Sequence, residues 1–177
     1  METSDDFARE LIEDAKRSLQ QAKSSTKDVS LQRHLRHSLM SAFSFLELQI
    51  ELISQHFDGS SIFSVHEQGI LAQKEVVFDK GVFRLKERPR YSRLADRMLL
   101  LQSKFRGSRL SEREWWGPLL TATEHRNSIA HPKAPIKLTI GDVERALTAA
   151  LACANDLFEI VFSKGLPYAS FGLKPKS

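Results

Sequence analysis

The chain has 177 residues, with 26 Lys or Arg against 22 Asp or Glu for a net charge of +4, and it is 41% hydrophobic and 27% charged. That length allows one folded core without staples, and the single cysteine, Cys153, excludes an internal disulfide or a cysteine-based zinc site. No apolar run is long enough to span a bilayer, and acidic Met1 to Asp14 lacks the basic flank and apolar stretch of a secretory signal, so a cytosolic protein with no membrane partner is expected.

From Phe7 through Leu11, Ala15, Leu19 and Ala22, apolar residues recur every three or four positions. This spacing predicts an amphipathic helix, ended by Ser24-Ser25-Thr26. The same spacing through Leu31, Leu35, Leu39, Phe43, Leu46, Ile50, Ile53 and Phe57 predicts a long second helix. A further apolar line, Phe45, Leu48 and Leu52, widens its stripe and makes it the covered spine of the fold. Asp58 to Ser61 reads as a turn, and Ile62 to Gln73 as a short helix weakened by Gly69. Val76 to Phe78 and Val82 to Leu85 flank Asp79-Lys80-Gly81, which predicts a small peripheral β-hairpin with a three-residue loop.

Pro89 interrupts the chain, and Ser92 is placed to cap a helix with core positions Leu94, Met98, Leu101 and Phe105, closed by Gly107. Ser111 reads as the cap of the next helix, with Glu112 and Glu114 in its first turn and Trp115, Trp116, Leu119, Leu120 and Thr123 on its packing face. Pro132 stops that helix at or before His131. After the linker Pro132 to Leu138, Thr139 and Asp142 form a variant capping box. They open a last helix whose alanine-rich face, from Val143 to Phe162, takes Cys153 as a packing residue. The expectation is an all-α bundle of about five to six helices with a peripheral β-hairpin over residues 1–164, and an irregular C-terminal tail over 165–177.

Charge is unevenly spread. Between Arg84 and Arg109 nine cations face only Glu87 and Asp96, a local net charge of +7. A polyanion such as RNA would gain counterion-release affinity there, against the plainer reading of a solvated face. The hexapeptide Arg126-Asn127-Ser128-Ile129-Ala130-His131 is the feature that points most directly to chemistry, though its bare spacing alone proves little. It puts a permanent cation near the one side chain that exchanges protons around neutral pH, a pairing suited to phosphodiester cleavage. On a regular helix Arg126 and His131 lie about 140° apart, so either the last turn frays or a two-fold dimer combines two motif helices in one cleft. The dimer is preferred, its interface built from the spine and motif helices.

Other residues have quieter readings. Glu47, among apolar residues of the spine, needs a partner, and Arg126 is a candidate beside plain solvation. His125 is a core-edge or RNA-stacking residue, and packing is favoured for Trp115 and Trp116 over base stacking. His34 and His37 share a helix face without a carboxylate at ligand spacing.

The stretch Glu124 to His131 resembles the motif of the HEPN superfamily (higher eukaryote and prokaryote nucleotide-binding domains): an arginine, a polar residue and a histidine at four-to-six spacing. The resemblance extends to the long helix bearing Ala42-Phe43-Ser44-Phe45-Leu46-Glu47, the loop after the histidine and the capped final helix. It implies a HEPN-like helical bundle, a homodimer, and a metal-independent endoribonuclease of the toxin or defence kind, with no cofactor and with an antitoxin or regulatory protein as partner. Arg126, Asn127 and His131 occupy the three motif positions and are the candidate catalytic residues. His131 would move the proton of the 2′-hydroxyl or of the leaving 5′-oxygen, Arg126 would hold charge on the phosphorane, and Asn127 would orient the arginine or the phosphate. Lys133, Arg90 and Arg93 are the candidate substrate-binding residues. Relatives silenced by a nucleotidyltransferase carry a tyrosine two residues after the histidine, where this chain has Lys133, so that form of control is not implied. The alternative is a non-catalytic HEPN-type module that binds RNA, a nucleotide or a protein.

Overall fold

Helix α2 (Asp28–His56), 29 residues long, is the axis of a computed structural model that describes residues 4–105, 109–167 and 172–175. Leu35, Leu39, Phe45, Leu46, Ile50 and Ile53 along it are all buried. Helix α1 (Ser4–Ser24) lies against α2, and α6 (Ile140–Phe162) also packs on it. Each buried aliphatic side chain contributes roughly 1.5–3 kcal/mol, so this three-helix layer supplies much of the stability. The stripe of α1 is displaced from the expected one. Ala8, Ile12, Ala15, Leu19 and Ala22 face inward, while Phe7, in the first turn of the helix, is 50% exposed. Ser38 on α2 donates to the Ala15 carbonyl at 2.7 Å and fixes the axial register of the pair.

Helix α3 (Val65–Leu71) starts at a full capping box: Ser64 Oγ accepts from the Glu67 amide, and Glu67 accepts from the Ser64 amide at 2.7 Å. Two Glu67–Lys104 hydrogen bonds, at 3.0 and 2.9 Å, tie α3 to α4 (Leu94–Phe105). Gly69 has a packing reason that its helix-weakening character obscures. A Cβ there would meet Val76 Cγ2 at 2.6 Å and the Lys74 carbonyl at 3.0 Å, so the hairpin sits directly on the glycine. Gly69→Ala is therefore expected to cost about 1–2 kcal/mol despite the better helix propensity of alanine, measurable by urea unfolding. A gain in stability would disprove this close approach.

Strands β1 (Lys74–Asp79) and β2 (Val82–Pro89) pair antiparallel, with Phe78 opposite Phe83 and Asp79 opposite Val82. Because Asp79 belongs to the ladder, the loop has two residues rather than three. Lys80 and Gly81 both take left-handed conformations, φ 47° and 86°, as a type I′ turn requires.

Helix α4 begins two residues beyond Ser92, and the Arg93 carbonyl accepts from the Arg97 amide, so Ser92 does not hold the cap position. Gly107 and Arg106 lie outside the described residues. Ser111 is also not a helix cap. It falls in a 3-10 turn, Leu110–Glu112, and the motif helix α5 (Trp116–Ala130) starts later with Pro118 in its first turn, where a missing amide proton costs nothing. Glu112 pairs with Arg109 instead of facing the α5 terminus. Trp115 and Leu119 pack inward with Ala122, while Leu120 is 40% exposed. Trp115 Nε1 donates to Asp156 at 2.8 Å, which fastens α5 to α6.

The described residues thus form six α-helices and one two-stranded sheet, and none of their helices is long and apolar enough to cross a membrane. Past Ser163 the described tail residues are non-helical but attached: Leu166 is buried, and the Leu173 carbonyl accepts from Gln20. The basic segment is partly structural. Arg97 is buried, and Lys104, Arg88 and Arg109 have carboxylate partners.

Candidate functional site

Helix α5 ends at Ala130, and His131 is its C-cap, its amide donating to the Asn127 carbonyl at 2.8 Å. At φ −129° and ψ 68° His131 has left the helical path, as Pro132 dictates. The angular separation of a regular helix therefore no longer applies to its side chain. The imidazole is exposed.

The linker that follows is held from α2. Gln32 Nε2 donates to the Leu138 carbonyl at 2.8 Å, and Gln32 Oε1 accepts from the Leu138 amide at 3.0 Å. Lys137 reaches Asp28 at 3.4 Å. Between the end of α5 and this tethered linker lies an open depression of about 800 Å³, lined by Asn127, Ser128, His131, Lys133, Ile136 and Lys137 among others. Three of the six residues expected at the site thus share one surface.

Arg126 stands behind it. Its side chain is 29% exposed, and Nη2 donates to Glu47 on α2 at 2.8 Å while Nη1 donates to Asn127 Oδ1 at 3.2 Å. Arg126 Nε is buried without a hydrogen-bond partner. The guanidinium is therefore anchored at two corners, and Asn127 links it to the depression. Arg126 does not itself line that depression. Arg90 and Arg93 sit elsewhere, in a second depression of about 550 Å³ beside α3 and the hairpin, which shares no lining residue with the first.

His125 is half-buried and lies near Asp142 at the start of α6. The Thr139 hydroxyl and amide, donating to Asp142, hold its carboxyl below the ordinary range, with smaller help from Arg145 and His125. A depressed carboxyl stabilises the fold above its unfolded pKa and loses that contribution as pH falls through the lowered folded value. Asp142→Asn should cost about 0.5–1 kcal/mol at neutral pH, and the gap from wild type should close in acid. Urea midpoints for both proteins along an acidic pH series will test this; a gap that widens toward acid contradicts it.

Several neighbours of the site were not singled out from the sequence. Gln32 is 6% exposed on the spine helix, and a buried amide needs partners, which was the available signal. Ser128 and Lys137 had none beyond proximity to the motif. His37, weighed as a metal ligand, bonds Ser18 Oγ through Nδ1 at 2.7 Å. Among the described residues no three His, Cys, Asp or Glu side chains converge as metal ligands would. No protein-family model matches the chain, nor does any curated protein or solved structure.

Proposed function

We propose that the chain is a metal-independent endoribonuclease of HEPN type, acting in the cytosol as a homodimer and serving as a toxin or defence effector under the control of a partner protein. The observation that carries this reading is the connected set at the end of α5. An exposed His131 is displayed on the Asn127 carbonyl, and the Asn127 side chain grips an Arg126 already braced by Glu47. A proton-exchanging ring and an oriented cation at one helix end are what cleavage by a neighbouring hydroxyl requires.

In the proposed reaction the RNA 2′-oxygen attacks phosphorus as its proton passes to a neutral imidazole. The bond to the 5′-oxygen breaks, and that oxygen takes a proton from an imidazolium. The products are a 2′,3′-cyclic phosphate and a 5′-hydroxyl. Two motif helices meeting at a two-fold axis would supply one histidine as base and one as acid, with the arginines holding the phosphorane charge. Lys133, on the rim of the depression, would meet a flanking phosphate.

The Arg126–Glu47 pair also favours a second reading, in which the motif arginine is a structural ion pair and the protein binds RNA, a nucleotide or a protein without turnover. Incubating the pure protein with end-labelled RNA in EDTA separates the two. Cyclic-phosphate ends on RNA, with an all-deoxy strand left intact, support the nuclease. Salt-sensitive RNA binding with no cleavage leaves the binding module.

A further inference from the structure

We infer that the hairpin, with the segment leading into α4, is a single-strand RNA-binding surface separate from the α5 depression. This rests on the reading of the chain as an RNA-acting protein, and it adds where the strand outside the cleavage site would lie.

Three observations converge. Alternation along β2 puts Arg84 and Lys86 on one face of the strand, with Glu75 opposite Lys86, while Leu85 and Phe83 turn toward α3. Arg84, Lys86, Arg90 and Arg93 are all exposed, and none has a carboxylate within ion-pair distance among the described residues. Arg88 reaches Glu75 only at 3.7 Å. These are charges that the fold itself does not use.

Exposed aromatic rings flank them, Tyr91 between Arg90 and Arg93 in sequence and Phe78 with Phe83 on the α3 side of the hairpin. Tyr91 is 87% exposed, Phe78 67% and Phe83 52%, and among the described Phe, Tyr and Trp residues only Phe7 is comparably uncovered. Phe78 and Phe83 face each other across the ladder with centroids 5.2 Å apart. Leaving such rings in water forfeits burial energy, and their grouping marks an interaction surface.

Behind Tyr91, the depression of about 550 Å³ is lined by Arg90, Arg93, His66 and Lys74, with Asp96 as a carboxylate in its wall and Glu87 paired to Lys74. Unpaired Arg90 and Arg93 around the exposed Tyr91 ring, with Arg84 and Lys86 on the outer face of the neighbouring strand, fit a polyanion whose bases are free to stack. Duplex bases are already stacked on one another and would use the cations alone. A single strand uses both.

The test is fluorescence polarisation with a short, mixed-sequence RNA whose sugars are 2′-O-methylated, so that cleavage by the 2′-oxygen cannot interfere. Tyr91→Ala should raise Kd roughly 5- to 100-fold, while Tyr91→Phe, which keeps the ring, should stay within about 2-fold of wild type. Arg90→Ala with Arg93→Ala should flatten the dependence of log K on log salt by roughly 1.4, about 0.7 for each phosphate that is no longer neutralised. All three residues are exposed, and unchanged melting temperatures will show that the variants fold. Wild-type affinity in both alanine variants, failure of the wild type to bind, or preference for the duplex form overturns the inference. Cleavage of unmodified RNA in EDTA is read separately. A protein that binds here without cutting removes the nuclease and keeps this surface, and one that cuts with unaltered affinity in the Tyr91→Ala and Arg90→Ala/Arg93→Ala variants does the reverse.

Discussion

His131→Ala is expected to slow RNA cleavage in EDTA by roughly 10²–10⁴-fold, the usual worth of a positioned proton-transfer group. The side chain is exposed at the C-cap, and its backbone amide makes the helix-ending hydrogen bond, so alanine preserves that bond. Melting temperature and RNA affinity should stay close to wild type. A fall in rate without a fall in stability is therefore the signature of chemistry rather than of structure. Equal cleavage by wild type, His131→Ala and Arg126→Ala would mean that the activity belongs elsewhere or to a contaminant.

Arg126 separates two roles by the replacement chosen. Alanine removes the cation and should cost roughly 10²–10³-fold, as removal of a preorganised donor does. It also leaves Glu47 unpaired, but that side chain is 37% exposed and water can solvate it. Lysine keeps the charge as a point and gives up the planar fork that now spans Glu47 and Asn127. Partial activity in Arg126→Lys would show that charge matters more than fixed geometry.

How far the sequence carried the reading depends on the kind of signal. Long periodic stretches were legible: α1, α2 and α6 lie close to their expected spans, and the Thr139–Asp142 box opens α6 as its residue types require. Pro132 placed the end of α5 correctly because its constraint on the preceding residue is local steric repulsion. Cap assignments at Ser92 and Ser111 failed for the opposite reason. A serine ahead of a helical pattern is a favoured cap but does not by itself fix where a helix begins, and α4 and α5 start beyond Ser92 and Ser111. Gly69 read as a weakness because the strand backbone that needs it is close only in space. At the site, Asn127, His131 and Lys133 are neighbours in sequence and stayed neighbours on the surface. Arg90 and Arg93 were grouped with them on charge alone, and charge has no address, so they fell at a different surface. The Glu47–Arg126 pair spans 79 residues of sequence and was one option among several until the helices were packed.

Arg97 is expected to tolerate methionine and not alanine. Its side chain is 2% exposed on α4, where it reaches Glu51 on α2 at 3.4 Å, with its Nε buried and without a hydrogen-bond partner. Burial lowers the guanidinium pKa from its ordinary value, opposed by the carboxylates of Glu51 and then Glu47. A buried ion pair with a long separation and an unsatisfied donor recovers little of its desolvation cost. Arg97→Met fills the same space without a charge and should change stability by about 1 kcal/mol or less, while Arg97→Ala leaves a cavity and should cost about 2–5 kcal/mol. Glu51→Gln strips the counter-charge and should cost about 1–3 kcal/mol, less than for a fully buried pair because Glu51 is 34% exposed. Urea unfolding of the three variants checks the order, and a methionine variant as damaged as the alanine one would show the charge to be stabilising. The same methionine variant bears on the site. Glu47 feels Arg97 and holds Arg126, so a chain of alternating charges runs from α4 through α2 to α5. If that chain positions Arg126, Arg97→Met should fold normally and still cleave RNA several-fold more slowly, with kcat falling rather than KM rising. Unchanged kinetics in a stable Arg97→Met protein would confine the role of Arg97 to packing between α2 and α4.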